Sequence, residues 1–271
     1  MPSDKVSELT KLGREFLKFN DFGVTEPSDQ QQKLPQPPLV KGKMTELQID
    51  LPIDFENLNL TKNILQIFNQ RESHRVYTQQ DMSLLQLSYL LWTTQGIKSI
   101  RGNNYATLRT VPSGGARHEF ETYLIIKHIT GLKQGSYHYL PMTHQIEYLS
   151  DIENIDQNIS DSLSGQSWAN KANVIFYWSV IPYRSEWRYS CFSHRIILVD
   201  IGHVAQNLYL ASESIGLGTC AIGAFEKGMC DRFFNLDGEE EFIILASPVG
   251  TVSVLDKNKE QDFYKFLKEE K

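Results

Sequence analysis

The sequence predicts an α+β fold, and three observations carry that prediction. Residues 120–127 and 136–140 read as two strands separated by Gly131-Leu-Lys-Gln-Gly135, a hairpin-like pair. Residues 172–181 form a continuous apolar run of strand length, consistent with a central strand. A long helical pattern, 196–214, comes next, and two further short strands follow it. Strands and helices thus do not alternate as a doubly wound fold requires, and a layered α+β structure is expected.

The elements follow in order. Within residues 7–19, Leu9, Leu12, Phe16 and Leu17 fall at helical spacing and predict a short amphipathic helix. Residues 24–46 are polar and proline-rich around Gln30-Gln-Gln-Lys-Leu-Pro-Gln-Pro-Pro38, an extended arm with polyproline character. Such an arm is either a flexible leader or a strap over a partner subunit, and the residues favour neither. Residues 1–50 are therefore read as helix plus arm, and 51–271 as one domain. Residues 57–69 predict a helix with Leu60, Ile64, Leu65 and Ile67 inward. Residues 83–92 predict a leucine-rich helix, with Asp81 or Ser83 as N-cap and Gly96 near its end. Asn103 and Asn104 lie in a polar loop, residues 144–149 add a short strand, and 152–168 read as helical. Residues 182–193 read as a loop leading into the long helix, which carries small residues such as Gly202 and Ala205 and is capped by Gly216. A strand at 219–222, a helix at 226–234, a core strand at 241–248 and a charged tail with helical character at 255–271 complete the chain.

Composition excludes several classes. At 271 residues, 41% hydrophobic and 22% charged, the chain suits one or two globular domains with a sizeable core. A net charge of -6 argues against a general nucleic-acid binder. Cys191, Cys220 and Cys230 lack metal-type spacing, and their odd count closes no disulfide framework, so a reducing, cytoplasmic setting is the simplest reading. The first twenty residues are interleaved with charge and resemble no secretory signal, and no apolar run of about 18 residues predicts a membrane span. The seven histidines are scattered, so no metal site is expected, and no nucleophile elbow surrounds Ser113.

Four segments could carry chemistry. Pro112-Ser-Gly-Gly-Ala116 feeds the 120–127 strand. Pro112 fixes its own φ, while Gly114 and Gly115 allow positive φ and a close backbone approach, which suits a tight turn or a platform for a flat ligand. Arg71-Glu-Ser-His-Arg75 places Arg71, Ser73 and Arg75 on one side if extended, where two guanidinium forks and a hydroxyl suit a phosphate, or else form a solvated basic patch. Gly216-Leu-Gly-Thr-Cys-Ala-Ile-Gly223 mimics a dinucleotide fingerprint but follows a helix instead of a strand, so it reads as a glycine-rich turn. Trp187-Arg188-Tyr189 sets a cation beside a phenol.

Taken together, these segments resemble the FMN-dependent nitroreductase superfamily, more narrowly its SagB-type dehydrogenase branch. The resemblance runs from about residue 71 to 250. Its other anchors are Leu84 to Gly96, Tyr137-His-Tyr139, Asp200-Ile-Gly-His-Val-Ala-Gln-Asn-Leu208 and Pro248-Val-Gly250. It implies a nitroreductase-like α+β sandwich, a mixed central sheet flanked by helices, and a homodimer holding two FMN molecules at its interface. By the same resemblance, Arg71, Ser73 and Arg75 would grip the phosphate and ribityl chain. Pro112, Ser113, Gly114, Gly115 and Ala116 would line the flavin ring, supplied by the partner chain. Leu217, Gly218, Thr219, Cys220, Ala221, Ile222 and Gly223 would lie against it and supply backbone hydrogen bonds. NADH or NADPH would serve as electron donor, with a small molecule or a peptide as substrate. Azoline-oxidising members of the branch carry a Lys-Tyr pair after a tryptophan, where this chain has Arg188 and Tyr189. Arginine stays protonated, which weakens peptide azoline oxidation and leaves two roles: Arg188 orienting an anionic substrate or a dinucleotide phosphate, and Tyr189 donating a proton. The same departure leaves open a scaffold subunit that has lost turnover.

Overall fold

The computed structural model describes residues 4–19, 26–60, 62–78 and 80–253. The charged tail expected at 255–271 lies outside the described residues. The framework is one seven-stranded sheet. Its spatial order is β1 (Gln48–Asp50), β6 (Gln145–Ser150), β5 (Gly135–Leu140), β4 (Phe120–Ile126), β7 (Val174–Val180), β9 (Phe242–Thr251) and β8 (Leu217–Thr219). The hairpin-like pair is present as β4 and β5, and the apolar run at 172–181 is the central strand β7. Every pairing between these strands is antiparallel, which corrects the mixed sheet that the resemblance implies. The one parallel contact among the described residues is an isolated bridge between Met82 and Ile129.

Both central strands are buried on two faces, and the two-residue side-chain period splits them between two cores. Leu124, Ile126, Phe176 and Trp178 join one core, closed by α3 (Leu84–Gln95) and α6 (Ser193–Ser214). Tyr123, Ile125, Ile175 and Tyr177 join the other, closed by α4 (Ile155–Ser162) and α7 (Lys227–Phe233). Helix α3 starts where the sequence predicts: Ser83 and Gln86 form a reciprocal capping box, and Gly96 is its C-cap. Helix α6 stops at Ile215, and Gly216 follows with φ at +73°, the left-handed conformation that glycine tolerates.

Four local expectations are corrected. Helix α2 is only Ile64–Gln70, and Leu60, Ile64 and Leu65 face solvent while Ile67 is buried, because the short helix lies at the surface. Residues 182–193 are not a loop. Pro182, with φ at -55°, starts α5 (Tyr183–Tyr189), and a 3-10 turn joins it to α6. Around Asn103 and Asn104 stands a separate hairpin, β2 (Ile97–Arg101) with β3 (Ala106–Arg109). The helix expected over 152–168 ends at Ser162, and a 3-10 stretch, Ser167–Lys171, follows.

Helix α1 (Asp4–Lys18) is present, with Val6, Leu9, Leu12 and Leu17 exposed. The arm after it lies along its own subunit. The Gln30 amide donates to Trp187 O at 2.8 Å, Trp187 Nε1 donates to Leu34 O at 3.0 Å, and Arg109 Nη2 donates to Leu39 O at 3.2 Å. Lys41 Nζ reaches Glu241 and the Tyr123 hydroxyl, and the Met44 and Thr45 amides donate to Glu147 at 2.8 Å. These buried carboxylates take their donors from the arm, so charge satisfaction ties its course to its own subunit. Residues 48–50 then join the sheet as its edge strand.

Candidate active site

Helix α6 is the ruler of the site. Asp200 near one end holds the Pro-Ser-Gly-Gly loop, and Tyr209, nine residues on and roughly 13 Å along the axis, holds the Arg-Glu-Ser-His-Arg segment.

At the Tyr209 end, Ser73 Oγ and Tyr209 OH are 3.0 Å apart, and the Arg71 guanidinium lies 5.3 Å from the Tyr209 ring centroid. The Ala221 amide donates to the same Tyr209 hydroxyl at 2.8 Å. The segment runs extended, with the His74 amide donating to Thr219 O at 2.9 Å. The structure therefore brings Arg71, Ser73, Tyr209 and the 219–221 turn together. It places Arg75 over Trp168, 5.8 Å from that ring. Leu217, Gly218 and Thr219 form β8 and pair with β9, and the Ile222 amide donates to Ala246 O, so the hydrogen bonds of this stretch are largely spent inside the chain. A Cβ on Gly218 would come within 2.6 Å of the His74 side chain, which is why the turn is bare there. Cys220 is buried, and a Cβ on Gly223 would meet open space.

At the Asp200 end, residues 114–116 form a 3-10 turn in which Gly115 takes φ of +58° and Ala116 +55°. The Gly114 amide donates to Asp200 Oδ2 at 2.7 Å, and a Cβ on Gly114 would collide with Ile196. A Cβ on Gly115 would lie 2.6 Å from the Tyr189 hydroxyl and 2.7 Å from Arg188 Nε. Exposed Pro112 and half-buried Ser113 lead into this turn, and Ser113 Oγ accepts the His118 amide at 2.9 Å. Two glycines thus let the loop meet α5 and α6 backbone-first. An open pocket of about 510 Å³ borders the contact, lined by Gly114, Tyr189, Phe192, Ile196, Val199 and Asp200, with Arg195 at its edge.

A guanidinium–phenol cluster adjoins Gly115. Arg188 Nη1 donates to Tyr105 OH at 2.5 Å, Gln30 Nε2 donates to the same oxygen at 2.9 Å, and Arg117 lies 5.0 Å from the Tyr105 ring. Burial acts to raise the Tyr105 pKa, but the Gln30 bond and the Arg188 and Arg117 charges outweigh it and lower it. Burial acts to lower the pKa of Arg188, and its bond to Tyr189 reverses this, so Arg188 stays a cation. Tyr105 escaped the sequence reading because it sits in a hairpin turn seventy-five residues from Gln30. In the sequence, Tyr209 is one member of a long helix pattern.

Two neighbouring glutamates have opposite surroundings. Glu121 is fully buried on β4, with Arg184 Nη2 donating to it and His138 Nε2 at 3.3 Å. Burial alone would raise its pKa, but Arg184 and His138 hold it well below the usual carboxylate range. Glu119 is as deeply buried beside Asp200, and burial with that second carboxyl raises it to about 7.

Do these residues fit FMN? Arg71 makes no ion pair among the described residues, and it stands beside two hydroxyls, as a phosphate site needs. The loop with the apolar pocket offers bare backbone and Tyr189, Phe192 and Ile196 to a planar ring. The donor set and the walls fit the cofactor.

The layered antiparallel sheet flanked by helices is that of an α+β protein. The chain belongs to the nitroreductase family, whose model matches residues 69–251. A protein of Methanocaldococcus jannaschii named as a nitroreductase is 29% identical over 204 residues, covering 75% of this chain and 96% of that one. The trifolitoxin-processing protein TfxB of Rhizobium leguminosarum bv. trifolii is 27% identical over 161 residues, covering 56% of this chain and 43% of its own length. Among solved structures, one named as a nitroreductase from Ralstonia eutropha superposes with a TM-score of 0.63 at 24% identity, covering 81% of this chain and 99% of that chain. A chain of the Escherichia coli microcin synthetase complex McbBCD, with a truncated precursor bound, superposes with a TM-score of 0.56 at 18% identity, covering 88% and 86%. At these identities the superpositions establish the shared fold. No described helix is long and apolar enough to cross a membrane.

Proposed function

We propose that this chain is an FMN-dependent oxidoreductase of the SagB-type branch, acting in the cytoplasm as a homodimer on a small molecule or a peptide. The observation that carries the reading is the meeting of Gly115 with Arg188 and Tyr189, which joins the bare loop and the Arg-Tyr pair in one surface. Arg71 and Ser73 would hold the cofactor phosphate, with Arg75, which lies over Trp168, as a third grip. Residues 112–116 would wall the ring, and Leu217 to Gly223 would close it from the β8 side. Bound FMN would supply hydride chemistry in a ping-pong sequence, taking a hydride from one substrate, such as NADH or NADPH, and returning electrons to a second. Arg188 would orient an anionic group of the substrate, and Tyr189 would donate a proton to it. An absorbance spectrum of the purified protein, repeated after denaturation, tests this. Flavin bands with FMN released to the supernatant support the reading, and a colourless protein that takes up no added FMN defeats it.

Similarity to a trifolitoxin-processing protein favours a second reading, azoline oxidation in a modified peptide. Arg188 in place of lysine stands against it, since a guanidinium cannot act as base at neutral pH. Incubation with a thiazoline-containing peptide and the enzymes that install the ring separates the two readings. Conversion to the aromatic ring would favour this one.

A further inference from the structure

Glu119 has no exposed surface and Asp200 only 4%, yet neither carboxyl has an ion pair with arginine or lysine among the described residues. Glu119 Oε1 is buried with no hydrogen-bond partner, and Glu119 Oε2 receives a long bond from Ser113 Oγ at 3.4 Å. Asp200 Oδ2 accepts the Gly114 amide at 2.7 Å, and Asp200 lines the open pocket beside Tyr189. At rest it is costly for both carboxylates to be ionised in such a place, because each is desolvated and repels the other. A single proton between them removes one charge and supplies the donor that Glu119 lacks. Glu121 makes the contrast: equally buried, it has Arg184 and His138 and needs no proton.

We propose that Glu119 and Asp200 hold one proton between them and deliver it, from Asp200, to the molecule in the adjoining pocket. The other charged and titratable groups facing the pair are Arg109 from β3, Tyr189 from α5, and Arg195 and His203 from α6. Burial and the mutual carboxyl repulsion put the Glu119 pKa at about 7, so the proton is held below neutral pH and lost as pH rises through neutrality. In the transfer, the proton passes from Glu119 to Asp200, the new O–H bond at Asp200 breaks as a bond from that proton to a basic atom of the ligand forms, and the carboxyl pair goes from one negative charge to two until solvent returns a proton. His203 Nδ1 lies 3.8 Å from Asp200 Oδ1 on a side chain 44% exposed, a route by which solvent returns the proton. Asp200, which borders the ligand, is the donor, and Glu119 is a positioning residue that holds the proton at rest.

This inference rests on the proposed function only for what occupies the pocket. Infrared spectroscopy of the full-length protein tests the pair without turnover. The wild type should show the carbonyl band of a protonated carboxyl near neutral pH, and the isosteric Glu119→Gln should abolish it. Absence of the band from the folded wild type overturns the proposal. With flavin loaded, Asp200→Asn, which keeps an acceptor for the Gly114 amide, should lower kcat by about 100-fold with KM held, and should remove the fall in rate on the alkaline side. Unchanged kcat and an unchanged pH profile overturn the delivery step. A protein that shows the band but takes up no flavin defeats the proposed cofactor and upholds the proton-sharing pair.

Discussion

Gly115 and Tyr189 meet so closely that the loop has no room for a side chain: a Cβ on Gly115 would stand 2.6 Å from the Tyr189 hydroxyl. The backbone turn at 114–116 and the end of α5 therefore form one surface, although more than seventy residues separate them in sequence.

Replacing Gly115 with alanine should be costly on two counts. The residue sits at φ +58°, and the new methyl would strike Tyr189 and Arg188. We expect a loss of about 1–3 kcal/mol, read as a lower denaturant midpoint at unchanged slope. A variant as stable as the wild type would mean that α5 yields easily at this contact.

Arg71→Ala removes the guanidinium that stands over Tyr209. FMN affinity, followed by fluorescence titration, should fall by roughly 1.5–3 kcal/mol, the range for bonds to a charged group. Undiminished affinity would place the phosphate elsewhere.

Tyr189→Phe keeps the ring that lines the pocket and removes its proton. Turnover should drop by roughly 100-fold while the flavin stays bound. Arg188→Ala should also leave the flavin bound and lower turnover, mainly through KM for an anionic substrate. A flavin-free Arg188 variant would assign that residue to the cofactor.

Acid should destabilise the fold through Glu121. Its carboxyl is held well below the ordinary value of 4.5 by Arg184 and His138, against the effect of burial. The stability it contributes is complete above that unfolded value and is lost as pH falls below it. Glu121→Gln would strand a buried guanidinium and should cost roughly 3–5 kcal/mol at neutral pH. The variant should also show a shallower acid limb in melts across that range. An unchanged acid limb would mean that another carboxylate governs it.

Much of the framework was legible in the residues. The capping box at Ser83 and Gln86, the glycine after α6 and the apolar run of β7 are local signals, written by neighbours along the chain. The hairpin of β2 and β3 was not legible, because β2 is mostly exposed, β3 buries a threonine and an arginine, and neither carries an alternating apolar pattern. Helix α5 was missed because its turn of Tyr, Arg, Ser, Glu and Trp has no stripe. It is held by Trp187 on the arm and Arg184 on Glu121. The candidate site was legible as four segments, and α6 shows how two of them are spaced.

By itself the sequence determined where chain direction and burial alternate, and which chemical groups were on hand: two arginines near a serine, a glycine pair, an arginine beside a tyrosine. Only the tertiary structure decided what each group meets. Arg71 and Ser73 find Tyr209 while Arg75 finds Trp168. Glu119 and Glu121 are the same residue two positions apart, yet one meets a carboxyl and the other a guanidinium. The physical reason is one of range. Backbone preference and side-chain period act over a few residues, whereas the charge a buried group carries depends on whatever packs within a few ångströms, from any distance along the chain.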